Sequence, residues 1–246
     1  MSIQTERDWT GLKRVGRIVR ETLEALEKEV RPGVTTAELN EVAAAVLSAN
    51  GARSAPTLVY GLPGSALISV NDEVVHGVPG NRRLESGDIV KLDVTVEKDG
   101  YMADAARTVI VSPGSETAQR LMRCARSAFK KALAEARVGR RVNEIGRAID
   151  REVRGHGFQI VRGLDGHGIG RTIHEPPSVP NYFDPSQTDV LTDGLVITIE
   201  PIICAGSGRA VEGRDGWTIR TADGSLAAHY EHTLAVTADG PVLLTA

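Results

Sequence analysis

Four acidic residues stand where strand-forming sequence ordinarily avoids them: Asp93 in VKLDVTV, Asp104 in YMADAAR, Glu200 in VITIEPII and Glu231 in YEHTLAVT. Strand interiors disfavour Asp and Glu, and a buried carboxylate without a partner is costly. Asp93 and Asp104 close the two ends of LDVTVEKDGYMAD, which reads as a hairpin. If its loop is Lys98-Asp99, Asp93 stands directly opposite Asp104; if the loop is Asp99-Gly100, Asp104 faces Thr95, two residues along the same face. Like charges placed opposite each other repel. Arg107 lies close enough in sequence to pair with Asp104, but four buried ion pairs would be needed to satisfy all four acids. A bound divalent metal is the economical alternative, because it inverts the local electrostatics and lets the carboxylates share an attraction.

The histidines sort by context. His167 sits among glycines in GHGIGRTIHEPP, where the backbone can turn tightly, and His174 follows in the same stretch. His156, His229 and His232 read as structural. Four carboxylates and the His167 imidazole form an oxygen-rich set able to hold two divalent ions, of which Mn, Fe, Co and Zn all suit the donors. Paired metals are a hydrolytic device: they generate hydroxide near neutral pH and clamp an attacked carbonyl.

The elements that must position these residues come next. Leu12, Val15, Val19, Leu23, Leu26 and Val30 recur at three- and four-residue steps and predict a helix from about Arg7 to Val30, stopped by Pro32-Gly33. Thr35 and Glu38 predict a capping box for a second helix with a face of Leu39, Val42 and Val46, ended by Asn50-Gly51. About 106 residues later the pattern returns: Gly33 falls on Gly139, Glu38 on Glu144 and Gly51 on Gly157, behind another long helix from Glu116 to Ala136. DIVKLDVTV also aligns with GLVITIEPI, which places Asp93 on Glu200, and Glu231 matches Asp104 in role. The chain therefore reads as one domain of two related halves, about 1–112 and 113–246, each with two helices, antiparallel strands and two of the carboxylates.

The bulk composition bounds the setting. With 246 residues, 41% hydrophobic and 25% charged, the chain can bury a sizeable core. A net charge of −3 gives no basic footprint for nucleic acid or a membrane surface. Cys124 and Cys204 offer neither a disulfide framework nor a CxxC pair, and MSIQTERDWTGLKRVGRIVR lacks a signal-peptide apolar run, so a cytoplasmic location is expected.

Five motifs in order carry a family resemblance: SVNDEVVHGVP, GDIVKLDVTVEKDGYMAD, GHGIGRTIHEPP, TIEP and YEHT. Over nearly its whole length the sequence resembles the type I methionine aminopeptidases, in the short bacterial form. The resemblance implies an α+β "pita-bread" fold, with antiparallel strands inside and helices outside two pseudo-symmetric halves. It implies Asp93, Asp104, His167, Glu200 and Glu231 as ligands of a dinuclear metal centre, the set reached above. It further implies that His76 contacts the bound peptide and that His174 bonds the scissile amide. Glu200 would shuttle a proton as a metal-bridging hydroxide attacks the first peptide carbonyl. The implied activity is removal of the initiator methionine from nascent proteins with a small second residue. The implied setting is the cytoplasm near the ribosome, as a monomer, with no nucleic-acid or membrane partner.

The sequence departs from the family in the wall that receives the methionine side chain. Val59 and Leu62 occupy the usual tyrosine positions, Pro56 and Leu67 the usual cysteine positions, and Ile173 replaces a common phenylalanine, while Trp217 matches the pattern. An apolar pocket built from Val59, Leu62, Ile173 and Trp217 would still admit an unbranched thioether. Two other readings follow from the same pattern: a pita-bread peptidase of altered first-residue or Xaa-Pro specificity, and a non-catalytic pita-bread binding protein.

Overall fold

The computed structural model describes residues 1–246. Its first helix, α1 (Glu6–Glu29), begins at a Thr5–Asp8 capping box and buries the predicted stripe of Leu12, Val15, Val19, Leu23 and Leu26. Helix α2 (Thr36–Ala49) starts on the Thr35–Glu38 box and ends at Asn50, followed by Gly51 at φ 56°. Its core face is Leu39, Ala43 and Leu47, so Val42 and Val46 flank the buried line instead of forming it.

A short strand β1 (Arg53–Ser54) leads directly into α3 (Ala55–Tyr60), a single helical turn and a half that ends on Gly61 in the left-handed region. Then come β2 (Leu67–Val70), β3 (Glu73–Val75) and the long hairpin of β4 (Ile89–Lys98) and β5 (Tyr101–Ile110). The second helix pair is α4 (Glu116–Glu135) and α5 (Val142–Gly155). Ten short strands complete the chain: β6 (Gln159–Ile160), β7 (Gly166–Gly168), β8 (Glu175–Val179), β9 (Val196–Ile199), β10 (Ile202–Cys204), β11 (Ala210–Glu212), β12 (Ile219–Thr221), β13 (Ala227–His229), β14 (His232–Ala235) and β15 (Val242–Leu243).

Every strand pairing is antiparallel. One sheet runs β1-β4-β2 with β5 on β4, a second β13-β10-β6, a third β11-β12-β3, and a fourth β15-β14-β9-β7-β8. Helices α1 and α2 seal one apolar core against the β4–β5 hairpin, centred on Leu12, Leu23, Leu92 and Val94. Helices α4 and α5 seal another, through Leu121, Phe129, Ile145 and Ile149, against Ile197, Ile199 and Ile203. The architecture is α+β, with helices outside and strands inside.

The hairpin register is settled by its turn. Lys98 pairs with Tyr101, so the two-residue loop is Asp99-Gly100. Both loop residues have positive φ, 52° and 79°, as a type I′ turn requires. Asp104 therefore lies opposite Thr95 and Asp93 opposite Ala106. The two aspartates are diagonal neighbours on one face, not a directly opposed pair.

Candidate metal centre

Asp93 and Asp104 project from unbroken strands, whereas Glu200 and Glu231 occupy interruptions. Glu200 falls between β9 and β10, and Glu231 between β13 and β14. Each lies outside the ladders of its flanking strands, which lets its side chain turn inward. The sequence predicts all four within strands; two sit instead where strands are cut.

Two threonine hydroxyls fix the breaks in place. Thr198 Oγ1 accepts from the His167 backbone N–H at 2.9 Å and donates to Glu200 Oε1 at 2.9 Å. Thr233 Oγ1 accepts from the Asp104 N–H at 2.8 Å and donates to the Asp104 carbonyl at 2.8 Å. Glu231 and Ala106 exchange backbone hydrogen bonds beside it, at 2.9 and 3.3 Å. The β5 carboxylate is thus tied to the YEHT segment and the His167 strand to the TIEP segment.

The five expected ligands converge on a cavity of about 180 Å³, which they line together with His76, His174 and His229. Asp104, His167 and Glu231 bring donor atoms within 4.8 Å of one another, and so do Glu200, His229 and Glu231, so Glu231 is common to both groups. His167 Nδ1 engages the Gly168 carbonyl at 3.0 Å, leaving Nε2 turned to the cavity, 3.5 Å from Glu200 Oε1. A metal-ligating imidazole is typically oriented in this way.

The charge balance of the cavity is lopsided. The only basic side chains within 4 Å of the four acids are histidines, and no Arg or Lys reaches them. Arg107 turns away and bonds Glu27 at 3.3 Å. Burial pushes the Asp104 carboxyl up to about 6, against a lowering hydrogen bond from Thr95. Burial, reinforced by the neighbouring carboxylates, holds Asp93, Glu200 and Glu231 well above the ordinary carboxylate range. Burial also drives His167 down to about 4. Asp93 Oδ1, Asp104 Oδ1 and Glu231 Oε1 are buried with no hydrogen-bond partner. Orphaned carboxylate oxygens are expensive unless a cation completes them. The donor set, hard oxygens with one or two imidazoles, fits divalent transition metals.

The remaining expected residues distribute unevenly. His76 follows β3 with φ at 59°, its carbonyl 3.4 Å from the Thr218 hydroxyl. Its ring lines the cavity, and burial followed by His174 lowers its pKa. His174 lines the same cavity, with its ring 4.2 Å from that of His167. The apolar residues of the cavity are Val75, Leu164 and Ile202. Val59, Leu62, Ile173 and Trp217 stand outside this lining: Val59 is exposed, Leu62 and Ile173 are buried, and Trp217 is half-buried.

Two further residues belong to the site that sequence reasoning missed. His229, read as structural, is buried with both ring nitrogens unpartnered, its Nε2 lying 3.4 Å from Glu231 and 3.8 Å from Glu200. Its place two residues before Glu231 was the available signal. Tyr60 reaches His174 from the end of α3, with no sequence signal beyond its being one of few aromatics.

Comparison with known proteins adds to this geometry. The family model described as metallopeptidase family M24 matches residues 10–238. Methionine aminopeptidase 2 of Bacillus subtilis is 41% identical over 247 residues, covering 100% of this chain and 99% of the relative. A methionine aminopeptidase of Clostridium perfringens is 42% identical over 243 residues, covering 99% of this chain and 98% of the relative. Among solved structures, the methionine aminopeptidase of Rickettsia prowazekii superposes with a TM-score of 0.95 at 37% identity, each chain covered completely.

Proposed function

The chain belongs to metallopeptidase family M24 and has its pita-bread fold, and on that premise we propose that it is a metal-dependent aminopeptidase removing the N-terminal methionine of proteins. The observation that carries the reading is the cluster of four buried carboxylates and an imidazole, with three orphaned oxygens and no Arg or Lys partner, in a chain matched end to end by methionine aminopeptidases. We read Asp93, Asp104, His167, Glu200 and Glu231 as the side chains that hold two divalent ions, drawn from Mn, Fe, Co and Zn. When bound, such ions supply a hydroxide near neutral pH and polarise the scissile carbonyl.

The protein's own groups do the rest. We read His76 as contacting the bound peptide and His174 as bonding its scissile amide; both rings line the cavity. His174 offers a donor to the carbonyl oxygen as charge develops there. Glu200, whose carboxylate accepts from Thr198, is read as the group that carries a proton towards the leaving amine. Val59, Leu62, Ile173 and Trp217 remain the proposed receptors of the methionine side chain. The substrates are the N-terminal peptides of nascent proteins with a small second residue, met in the cytoplasm near the ribosome. The enzyme acts as a monomer, as one domain with halves 1–112 and 113–246, and takes neither nucleic acid nor membrane. No helix is long and apolar enough to cross a membrane.

A peptide panel tests this reading. Protein reconstituted with Mn or Co is given X-Ala-Ser tripeptides, with X as Met, Leu, Ala and norleucine, plus Met-Pro and Ala-Pro peptides. Release of Met well above Leu is expected. Preference for another first residue, or for proline second, would keep a metallopeptidase and discard the methionine assignment.

A further inference from the structure

His174 enters the cavity from the turn ahead of β8, and its two ring nitrogens have different surroundings. Nδ1 lies 2.6 Å from the Tyr60 hydroxyl, with the two rings tilted and 5.8 Å apart. That contact leaves Nε2 as the nitrogen able to meet a substrate. In a neutral imidazole one nitrogen donates and the other accepts, and the bond made by one fixes the role of the other.

Tyr60 is poorly explained as a packing residue, because it is 46% exposed. Yet the segment that carries it is firmly held. Ser54 caps α3 at its start, and Gly61 closes it in the left-handed region. The Thr57 hydroxyl shares its one proton between the carbonyls of Leu62 and Gly64, at 2.9 and 2.6 Å. Just upstream, Arg53 and Ser54 pair with Glu97 and Val96 on β4, the strand that carries Asp93. The phenol is therefore referenced to the same sheet as a proposed metal ligand. On the other side, Glu175 accepts from the backbone N–H groups of Arg171 and Thr172, at 2.7 and 2.8 Å, which fixes the turn bearing His174. Partial burial raises the Tyr60 pKa, so the hydroxyl keeps its proton in the neutral range.

We propose that Tyr60 is a positioning residue for His174: its O–H donates to Nδ1, which holds the ring in the Nε2–H tautomer and aims that N–H at the scissile amide. This rests on the reading of His174 as the amide-contacting histidine. The reverse sense, with Nδ1–H donating to the phenol oxygen, would present a bare Nε2 that could accept but not donate. The two senses make His174 chemically different, so its tautomer is the decisive quantity.

The test uses long-range ¹⁵N spectra of the full-length, zinc-loaded protein, with His174 assigned by loss of its signals in His174→Ala, alongside kinetics of manganese-loaded enzyme on Met-Ala-Ser. Wild type is expected to show a protonated Nε2 and an unprotonated, hydrogen-bonded Nδ1. In Tyr60→Phe the Nδ1 signal should move as its donor is lost, and kcat should fall about ten-fold with KM changed less than about two-fold, as for the loss of one hydrogen bond made to a catalytic group. The melting temperature should stay within about 1 °C, since the position is half-exposed. A protonated Nδ1 in wild type overturns the proposal. So does a Tyr60→Phe protein whose His174 signals or kcat are unchanged. If wild type fails to hydrolyse methionyl peptides, the assigned function falls, while the spectra still decide whether Tyr60 sets the tautomer.

Discussion

Asp104→Asn separates what the metal centre costs the fold from what it does for activity. The Asp104 carboxyl is pushed from an ordinary 3.8 up to about 6, chiefly by burial. A folded-state pKa above the unfolded one means that the stability tied to protonation is complete below about pH 4 and is lost as pH rises through 6. At pH 7.5 metal-free wild type should therefore carry a deficit of about 3 kcal/mol from this one group, at roughly 1.4 kcal/mol per pKa unit. Asparagine cannot ionise, yet it keeps an oxygen to accept from Thr95. Metal-free Asp104→Asn should then melt higher than metal-free wild type at pH 7.5, by roughly 6 to 12 °C for a chain of this size, with the gap closing towards pH 4.5. Added Mn should reverse the order, because an ion held at 1,000 times its Kd stabilises wild type by about 4.1 kcal/mol, more than the deficit, while the variant has lost a ligand. The assay is thermal unfolding followed by circular dichroism after chelation, between pH 4.5 and 8, with and without Mn. A metal-free variant no more stable than wild type at pH 7.5, or one that gains as much from Mn as wild type does, would refute the reasoning.

Two shorter predictions follow from the same structure. His174→Ala should lower kcat by about 10²- to 10³-fold while metal content measured by elemental analysis stays at the wild-type value; a loss of metal would reassign the residue from substrate contact to ligation. Gly16→Ala should destabilise by about 1–3 kcal/mol in chemical denaturation, because a Cβ there would land on the Leu244 carbonyl. Helix propensity alone would make the same change stabilising by about 1 kcal/mol, so the sign of the shift decides which effect wins.

The outer helices were legible because their physics is local. Three- and four-residue apolar spacing and the Thr35–Glu38 capping box place α1 and α2 to within a residue or two. The carboxylates were legible because an acid among Val, Ile and Leu demands an explanation. The hairpin register was left open between two loops, although Asp-Gly is the favoured type I′ pair, and the positive φ of Asp99 and Gly100 settles it. Thr198 and Thr233 gave no signal, because threonine is unremarkable in a strand whatever its hydroxyl does. Tyr60 and His174 lie 114 positions apart, a separation that no periodicity bridges. The receiving wall for the substrate side chain was read from positional substitution, and burial of Leu62 and Ile173 reflects packing that one sequence does not encode locally.

The provenance of the site residues along the chain also bears on how the protein reaches its native state. Asp93 and Asp104 belong to one hairpin with a two-residue turn, a structure that forms at small loop-closure cost. His167, Glu200 and Glu231 arrive from segments far downstream, through pairings that close long loops and form slowly. During refolding the two aspartates should therefore meet each other before any other ligand is in place. A divalent ion present at that stage finds half a site, and full coordination waits until β9 and β14 dock. The metal centre is then a latch on the late assembly of the sheets, and refolding rates with and without divalent ions should diverge in the slow phase while the hairpin forms at the same speed in both.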